Sequence, residues 1–378
     1  MRSSILTCSA AAGVLTTAFG LAMRPAWSEP ISEPITETPP PLIITPQIAL
    51  DGGWSEVTLA AVGDVSLARE LNERMRTEGA GYPFELVQPL MDADLLVGNL
   101  EGALTAATVA WPKAYRFSTP PGLTNGLQEA GFDVVSLANN HTMDFGAEGL
   151  IETMATLDII GIAHTGAGRT AAEAHAPVIV ESEGLKLAFL SFVLTPRESS
   201  GFSICTWAAG PVEPGLALGS VEAIGVAVLA AQSRSDFVIV QLHAGTEYAH
   251  AVDLTQVKLV EAAVAAGADV VLGTHSHAIQ PITWGGAGTP FIAWGLGNFV
   301  FDLDPVDLAN MPVPRVSLVL HLTIREGVGV TAWEARPVLL DDTEDRPRPA
   351  TKAEAAVVSE RLAAKRVHLP ESANCPSP

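Results

Sequence analysis

The chain reads as an α/β protein that collects its polar residues along one rim of a sheet. Short β-branched apolar runs alternate with helical patterns from Glu56 onward, which is the signature of strands buried on both faces. Polar clusters fall just after the carboxyl ends of those runs. With 48% hydrophobic residues in 378, the chain has the material for a sizeable core and is no disordered polymer.

The first 28 residues are not part of that core. Arg2 precedes an uncharged stretch, Ser3 to Met23, and Ala26-Trp27-Ser28 supplies small residues at a signal-peptidase spacing. The segment is a cleaved signal peptide or a retained membrane anchor; its 21 uncharged residues just reach across about 30 Å of hydrocarbon. The product is exported either way, to the periplasm or the cell exterior. Residues 29–53 are rich in proline, which breaks helix and ladder alike, and read as an extended linker.

A single domain is expected over 54–340. Its candidate strands are 57–62, 95–98, 134–137, 187–192, 237–242, 270–273 and 291–294, with helices at 123–130, 147–157, 221–234 and 254–266. Runs 316–324 and 328–337 flank Glu326-Gly327 as a hairpin at the sheet edge. In the tail, 341–378, Thr351 and Glu354 form a capping box that opens a helix running to about 366.

The strand ends carry the chemistry. Asp64 follows the first run, and Asn99 and Glu101 follow the second. Asn139-Asn140-His141 follows the third, His243 ends 237–242, His275-Ser276-His277 follows 270–273, and Asn298 follows 291–294. Ligand sites of α/β sheets form where such ends converge. Imidazole, carboxylate and amide oxygen suit a divalent transition metal (Mn, Zn or Fe) better than Ca or Mg alone. Blander roles compete: Asp64 as a helix N-cap, Asn139 and Asn140 as turn residues, His141 with Asp144 as a satisfied pair. His164, His175, His250, His321 and His368 lie outside the cluster.

These runs resemble the bacterial capsule-synthesis family of poly-γ-glutamate assembly proteins, itself similar to calcineurin-like metallophosphoesterases. The residues that carry the likeness are Val62-Gly63-Asp64, Gly98-Asn99-Leu100-Glu101, Ala138-Asn139-Asn140-His141 with Asp144 and Gly146, His243 to Tyr248, Gly273 to His277, and Gly297-Asn298-Phe299. The resemblance implies a four-layer αββα sandwich with one or two ions at the strand ends. It implies Asp64, Glu101, Asn140, His243, His275 and His277 as metal ligands, and His141 with Asp144 as the proton-transfer pair. Asn99, Arg116, Glu247, Tyr248 and Asn298 are expected to face the substrate. Two positions depart from the phosphoesterase pattern. Ser66 stands where a histidine belongs, and Asn99 where a bridging aspartate belongs, so a two-ion centre must draw charge from Glu101 or give way to a single ion.

Charge narrows the partners. The balance of 21 basic against 42 acidic residues is −21, with a pI near 4.7. Nucleic acid is excluded as a general partner, because binding it needs a basic face. Trp111, Lys113, Tyr115, Arg116 and Phe117 form one cationic-aromatic patch, either a packed lid or a clamp for an anionic substrate, and Arg197 is a second candidate clamp. The resemblance implies a hydrolase-like role on an anionic polymer or phosphoester, beside membrane-bound capsule machinery. A non-catalytic polymer-binding component and a periplasmic phosphodiesterase or nucleotidase are the rival readings. Cys205 and Cys375 are free to pair outside the cell, although nothing in their spacing demands it.

Overall fold

A computed structural model describes residues 42–44, 53–311, 315–341, 344, 346–373 and 375. The segment 1–28 and most of the 29–53 linker lie outside the described residues. One piece of that linker corrects the sequence reading: Leu42–Ile44 is a strand, paired antiparallel with Trp333, Glu334 and Ala335. Among the described residues no helix is long and apolar enough to cross a membrane.

Two sheets build the domain. The first has nine strands, in the order Leu42–Ile44, Gly329–Asp341, Val316–Arg325, Glu56–Val65, Leu95–Leu100, Val134–Ser136, Ala163–Thr165; Asn298–Val300 pairs with Glu56–Val65 and Arg346–Pro349 with Gly329–Asp341. The second has six, in the order Ile282–Thr283, Phe291–Ala293, Val270–Thr274, Phe237–Ala244, Leu185–Leu194, Val178–Ser182. The central strands of each run parallel, so their carboxyl ends share a rim.

Side chains alternate across each strand with period two. Val57, Leu59, Ala61, Leu187, Phe189, Phe237, Ile239, Val270 and Leu272 belong to one buried cluster, which lies between the sheets. Their neighbours Ala60, Val62, Ala188, Leu190, Val238 and Val240 join a second cluster with helical residues. Those helices are Glu70–Glu78 (Leu71, Met75), Gly146–Ile160 (Leu150, Met154, Leu157), Val221–Gln232 (Ile224, Val228) and Leu254–Ala265 (Leu259, Ala263). The layers are helix, sheet, sheet, helix: an αββα sandwich. A buried ring such as Phe189 contributes roughly 1.5–3 kcal/mol by leaving water.

Helix Glu70–Glu78 escapes the sequence reading because charge dominates it and only Leu71 and Met75, four apart, turn inward. Its N-cap is Arg69, so Asp64 caps no helix and that bland reading falls. The expected capping box of Thr351 and Glu354 opens Lys352–Ala363, whose Val358 and Leu362 close the flank of the inter-sheet core. Cys205 and Cys375 are joined in a disulfide with Cα atoms 5.7 Å apart. Beside it the tail is pinned by Ser372 and Ala373, whose backbone N–H groups donate to Thr255 Oγ1.

Candidate metal centre

Chain crossing at the rim depends on two glycines. The backbone of Gly297 lies against Gly63, where a Cβ would meet Gly297 O at 1.8 Å. That approach lets Asp64 N donate to Gly297 O at 3.0 Å and turns the Asp64 carboxylate inward, fully buried. Across the sandwich, His275 and His277 take positive φ values of 81° and 52°. Of five non-glycine residues with positive φ among the described residues, Arg69, Tyr248, His275 and His277 border this rim. Such backbone costs on the order of 1–3 kcal/mol each and persists where the surroundings enforce it.

The sheets meet through Asp64. Its Oδ2 accepts from His275 N at 3.2 Å and lies 3.4 Å from His277 Nδ1, while Oδ1 accepts from Asn99 Nδ2 at 2.8 Å. The same amide nitrogen is 3.4 Å from Glu101 Oε2 and 3.2 Å from His243 Nδ1. His243 also meets Thr274 Oγ1 at 3.0 Å and, through Nε2, Asn140 Oδ1 at 2.9 Å. Asn298 Oδ1 lies 2.6 Å from His277 Nδ1.

Two members keep polar atoms without a partner. Glu101 Oε1 and both ring nitrogens of His275 are buried and make no hydrogen bond. Leaving such groups unsatisfied costs about 1–3 kcal/mol apiece, which makes them the mark of a ligand-seeking site. Asp64, Glu101 and His277 offer donor atoms within 4.8 Å of one another, and so do Glu247, His275 and His277. Oxygen and imidazole donors of this kind fit Zn, Mn or Fe.

Electrostatics agree. Burial, and then the Asp64 charge beside it, push Glu101 well above the usual carboxylate range. Burial, and then the neighbouring imidazoles, hold His243 and His275 well below the ordinary histidine value, so both are neutral and keep a lone pair. Burial opposes charge on His277 too, but the contacts with Asp64, Glu101 and Glu247 outweigh it and push that ring up to about 10. A cation among these carboxylates would take over the role His277 plays as their counter-charge.

His141 stands at the edge of this cluster. Its Nδ1 lies 2.7 Å from Asp144 Oδ2 and its Nε2 3.9 Å from Glu101 Oε1. Burial holds His141 below its ordinary value although Asp144 pulls the other way. Asp144 is itself fixed by Phe117 N at 2.7 Å and Lys113 Nζ at 2.9 Å. It orients His141 from behind, with Nδ1 donating, and leaves Nε2 to face Glu101. Phe117 stacks on the His141 ring, with centroids 4.1 Å apart.

Of the residues expected here, Asp64, Asn99, Glu101, Asn140, His141, Asp144, His243, His275, His277 and Asn298 are brought together. Glu247 and Tyr248 line the outer side, with the Tyr248 ring 5.8 Å from His277. Arg116 is exposed on the segment that carries Phe117, and Arg197 is exposed, its guanidinium donating to Gly201 O. The cationic-aromatic patch divides: Lys113 and Phe117 pack inward while Tyr115 and Arg116 face solvent. Lys113 bridges Asp144 and Glu198 and donates to the Asn140 carbonyl oxygen. Its inward role, the Glu198 partner and the Thr274 contact to His243 were not read from the sequence. Only the nearness of Trp111, Phe202 and Trp207, which cover Lys113, could have hinted at the first.

Fold and rim together define an αββα protein with a buried histidine–carboxylate cluster suited to a divalent cation. Residues 58–303 match the family of the bacterial capsule synthesis protein PGA_cap, and the chain belongs to that family. It is 30% identical over 311 residues to the PGA biosynthesis protein CapA of Bacillus subtilis, covering 79% of this chain and 76% of that protein. The capsule biosynthesis protein CapA of Bacillus anthracis is likewise 30% identical, over 79% of this chain and 70% of its own length. Among solved structures, a phosphatase from Mycoplasma pneumoniae aligns with a TM-score of 0.49 and 12% identity, over 77% of this chain and 96% of that one.

Proposed function

We propose that this protein is an exported, metal-dependent hydrolase of capsule assembly, acting on an amide-linked anionic polymer such as poly-γ-glutamate alongside membrane-bound synthesis machinery. The observation that carries the reading is the set of orphaned donors, Glu101 Oε1 and both nitrogens of His275, in a buried cluster with Asp64 and His277. Membership of the capsule family supports the polymer, and the Cys205–Cys375 disulfide fits an oxidising compartment.

Held by side chains of the Asp64–Glu101–His277 and Glu247–His275–His277 groups, a divalent transition metal would supply Lewis acidity to the scissile carbonyl. The chain supplies the rest. His141 exchanges a proton at Nε2 with the reacting group, held in the right tautomer by Asp144. Asn298 orients His277. Arg116, exposed beside Phe117, offers a forked donor to carboxylates of the chain being cut.

Elemental analysis of the purified protein tests the metal. Transition metal should be present, lost in His275→Ala and Glu101→Gln, and retained in His321→Ala, which lies outside the cluster. A panel of γ-glutamyl amides, phosphomonoesters and phosphodiesters tests the reaction. Turnover of γ-glutamyl amides, reduced about 100-fold or more in His141→Ala, is the expected result. Absence of metal overturns the reading. Turnover of phosphoesters alone overturns the substrate, and polymer binding without any turnover leaves a non-catalytic assembly component.

A further inference from the structure

The orientation of Asn99 can be deduced from backbone atoms, which fixes what it offers a cation. Asn139 Oδ1 sits 3.0 Å from His141 N and 2.9 Å from Thr142 N. Backbone N–H groups only donate, so the oxygen of Asn139 must face them. Its Nδ2 therefore points the other way and donates to Leu100 O at 2.8 Å and to Asn99 Oδ1 at 3.0 Å. Asn99 must in turn present its NH2 group to Asp64, Glu101 and His243.

His243 Nδ1 lies 3.2 Å from Asn99 Nδ2 and 3.0 Å from Thr274 Oγ1, and its Nε2 lies 2.9 Å from Asn140 Oδ1. Asp64 Oδ1 and both nitrogens of His243 are thus committed to partners within the chain. The buried side-chain atoms of the cluster left without one are on Glu101 and His275.

Resting on the metal-binding reading above, we infer that Asn99 is an amide donor that acts in place of a second cation, so that the site holds one tightly bound divalent ion, at His277 and the carboxylates and imidazole grouped with it. An N–H group has no lone pair to give a metal. It donates to Asp64 Oδ1 and lies against His243 Nδ1. An aspartate at position 99 would reverse this, adding a ligand and a negative charge where the amide now donates.

Metal stoichiometry tests this without any activity assay. Wild-type protein and Asn99→Asp are dialysed to equilibrium against micromolar Mn or Zn, and bound metal per chain is measured. Wild type is expected to hold one ion and Asn99→Asp to approach two. A wild-type protein that holds two ions of similar affinity overturns the inference while leaving the metal site intact; this measurement does not depend on the variant folding. An Asn99→Asp protein that folds and stays at one ion also overturns it. A wild-type protein with no bound metal defeats the underlying reading as well.

Discussion

Opening the Cys205–Cys375 disulfide should cost more stability than any single contact in the tail. The bridge closes a loop spanning 170 residues of sequence. In the chain-entropy picture such a closure removes about 17 cal/mol/K from the unfolded ensemble, or about 5 kcal/mol at 25 °C. The tail is also held by Lys258–Glu371 at 2.6 Å and by the parallel pairing of His368–Leu369 with Val252–Asp253, which keep it in place once the bridge opens. A net loss of about 2–5 kcal/mol is expected for Cys375→Ser. The consequence reaches the site. Cys205 lies in the short helix Ile204–Trp207, and Trp207 packs over Lys113 with Nζ 4.9 Å from its ring. Urea unfolding of wild type and Cys375→Ser, each with and without reductant, measures the effect. Reductant should bring the wild type down to the variant and leave the variant unchanged. A difference below about 1 kcal/mol between the oxidised proteins would refute the loop-closure reasoning.

Three further outcomes follow from particular contacts. Lys113→Met leaves the fully buried Asp144 without its cation and should cost about 3–5 kcal/mol in denaturant unfolding, where a surface pair would cost about 1 or less. Gly63→Ala drives a methyl into Gly297 O and should displace Asp64, lowering bound metal; Gly225→Ala, in open space on helix Val221–Gln232, should instead stabilise by about 0.5–1 kcal/mol. Burial raises Glu354, but the Arg348 hydrogen bonds and the cap at Thr351 prevail and hold it below its ordinary value. Its stabilising effect is therefore full above about pH 4.3 and fades as pH falls through the lowered folded value, so Glu354→Gln should be the weaker protein at pH 7 and equal to wild type near pH 2 in thermal melts.

What the sequence made legible was the frame of the site. Buried parallel strands must be continuous apolar runs, so 57–62, 95–98, 237–242 and 270–273 stand out, and their ends locate Asp64, Asn99, His243 and His275. What it hid depends on partners distant in the chain. Lys113 reads as part of a packed lid or of a substrate clamp, and only Asp144 and Glu198 explain its full burial. Asn298–Val300 is too short to show a period, and its pairing with Glu56–Val65 is a tertiary event. Leu42–Ile44, set among prolines, looks like linker until the edge of Gly329–Asp341 supplies its ladder. The orientation of Asn99 is hidden most deeply, because two backbone N–H groups some forty residues away decide it.

The net charge of −21 would also bear on how an anionic chain of the kind proposed reached such a site. At 10 mM salt the Debye length is about 30 Å, so an approaching polyanion meets the repulsion of the whole molecule. At 150 mM it is about 8 Å, and only groups near the rim would be felt, among them a bound cation, Arg116 and the Glu247 carboxylate. Association of a γ-glutamyl oligomer with metal-loaded protein should therefore speed up as salt rises from 10 to 150 mM, with much less change in dissociation. A polymer captured by a basic surface would show the reverse slope. Stopped-flow binding of a fluorescent oligomer across that range decides between them, and an association rate that falls with salt would mean that local cations, rather than the acidic surface, govern the encounter.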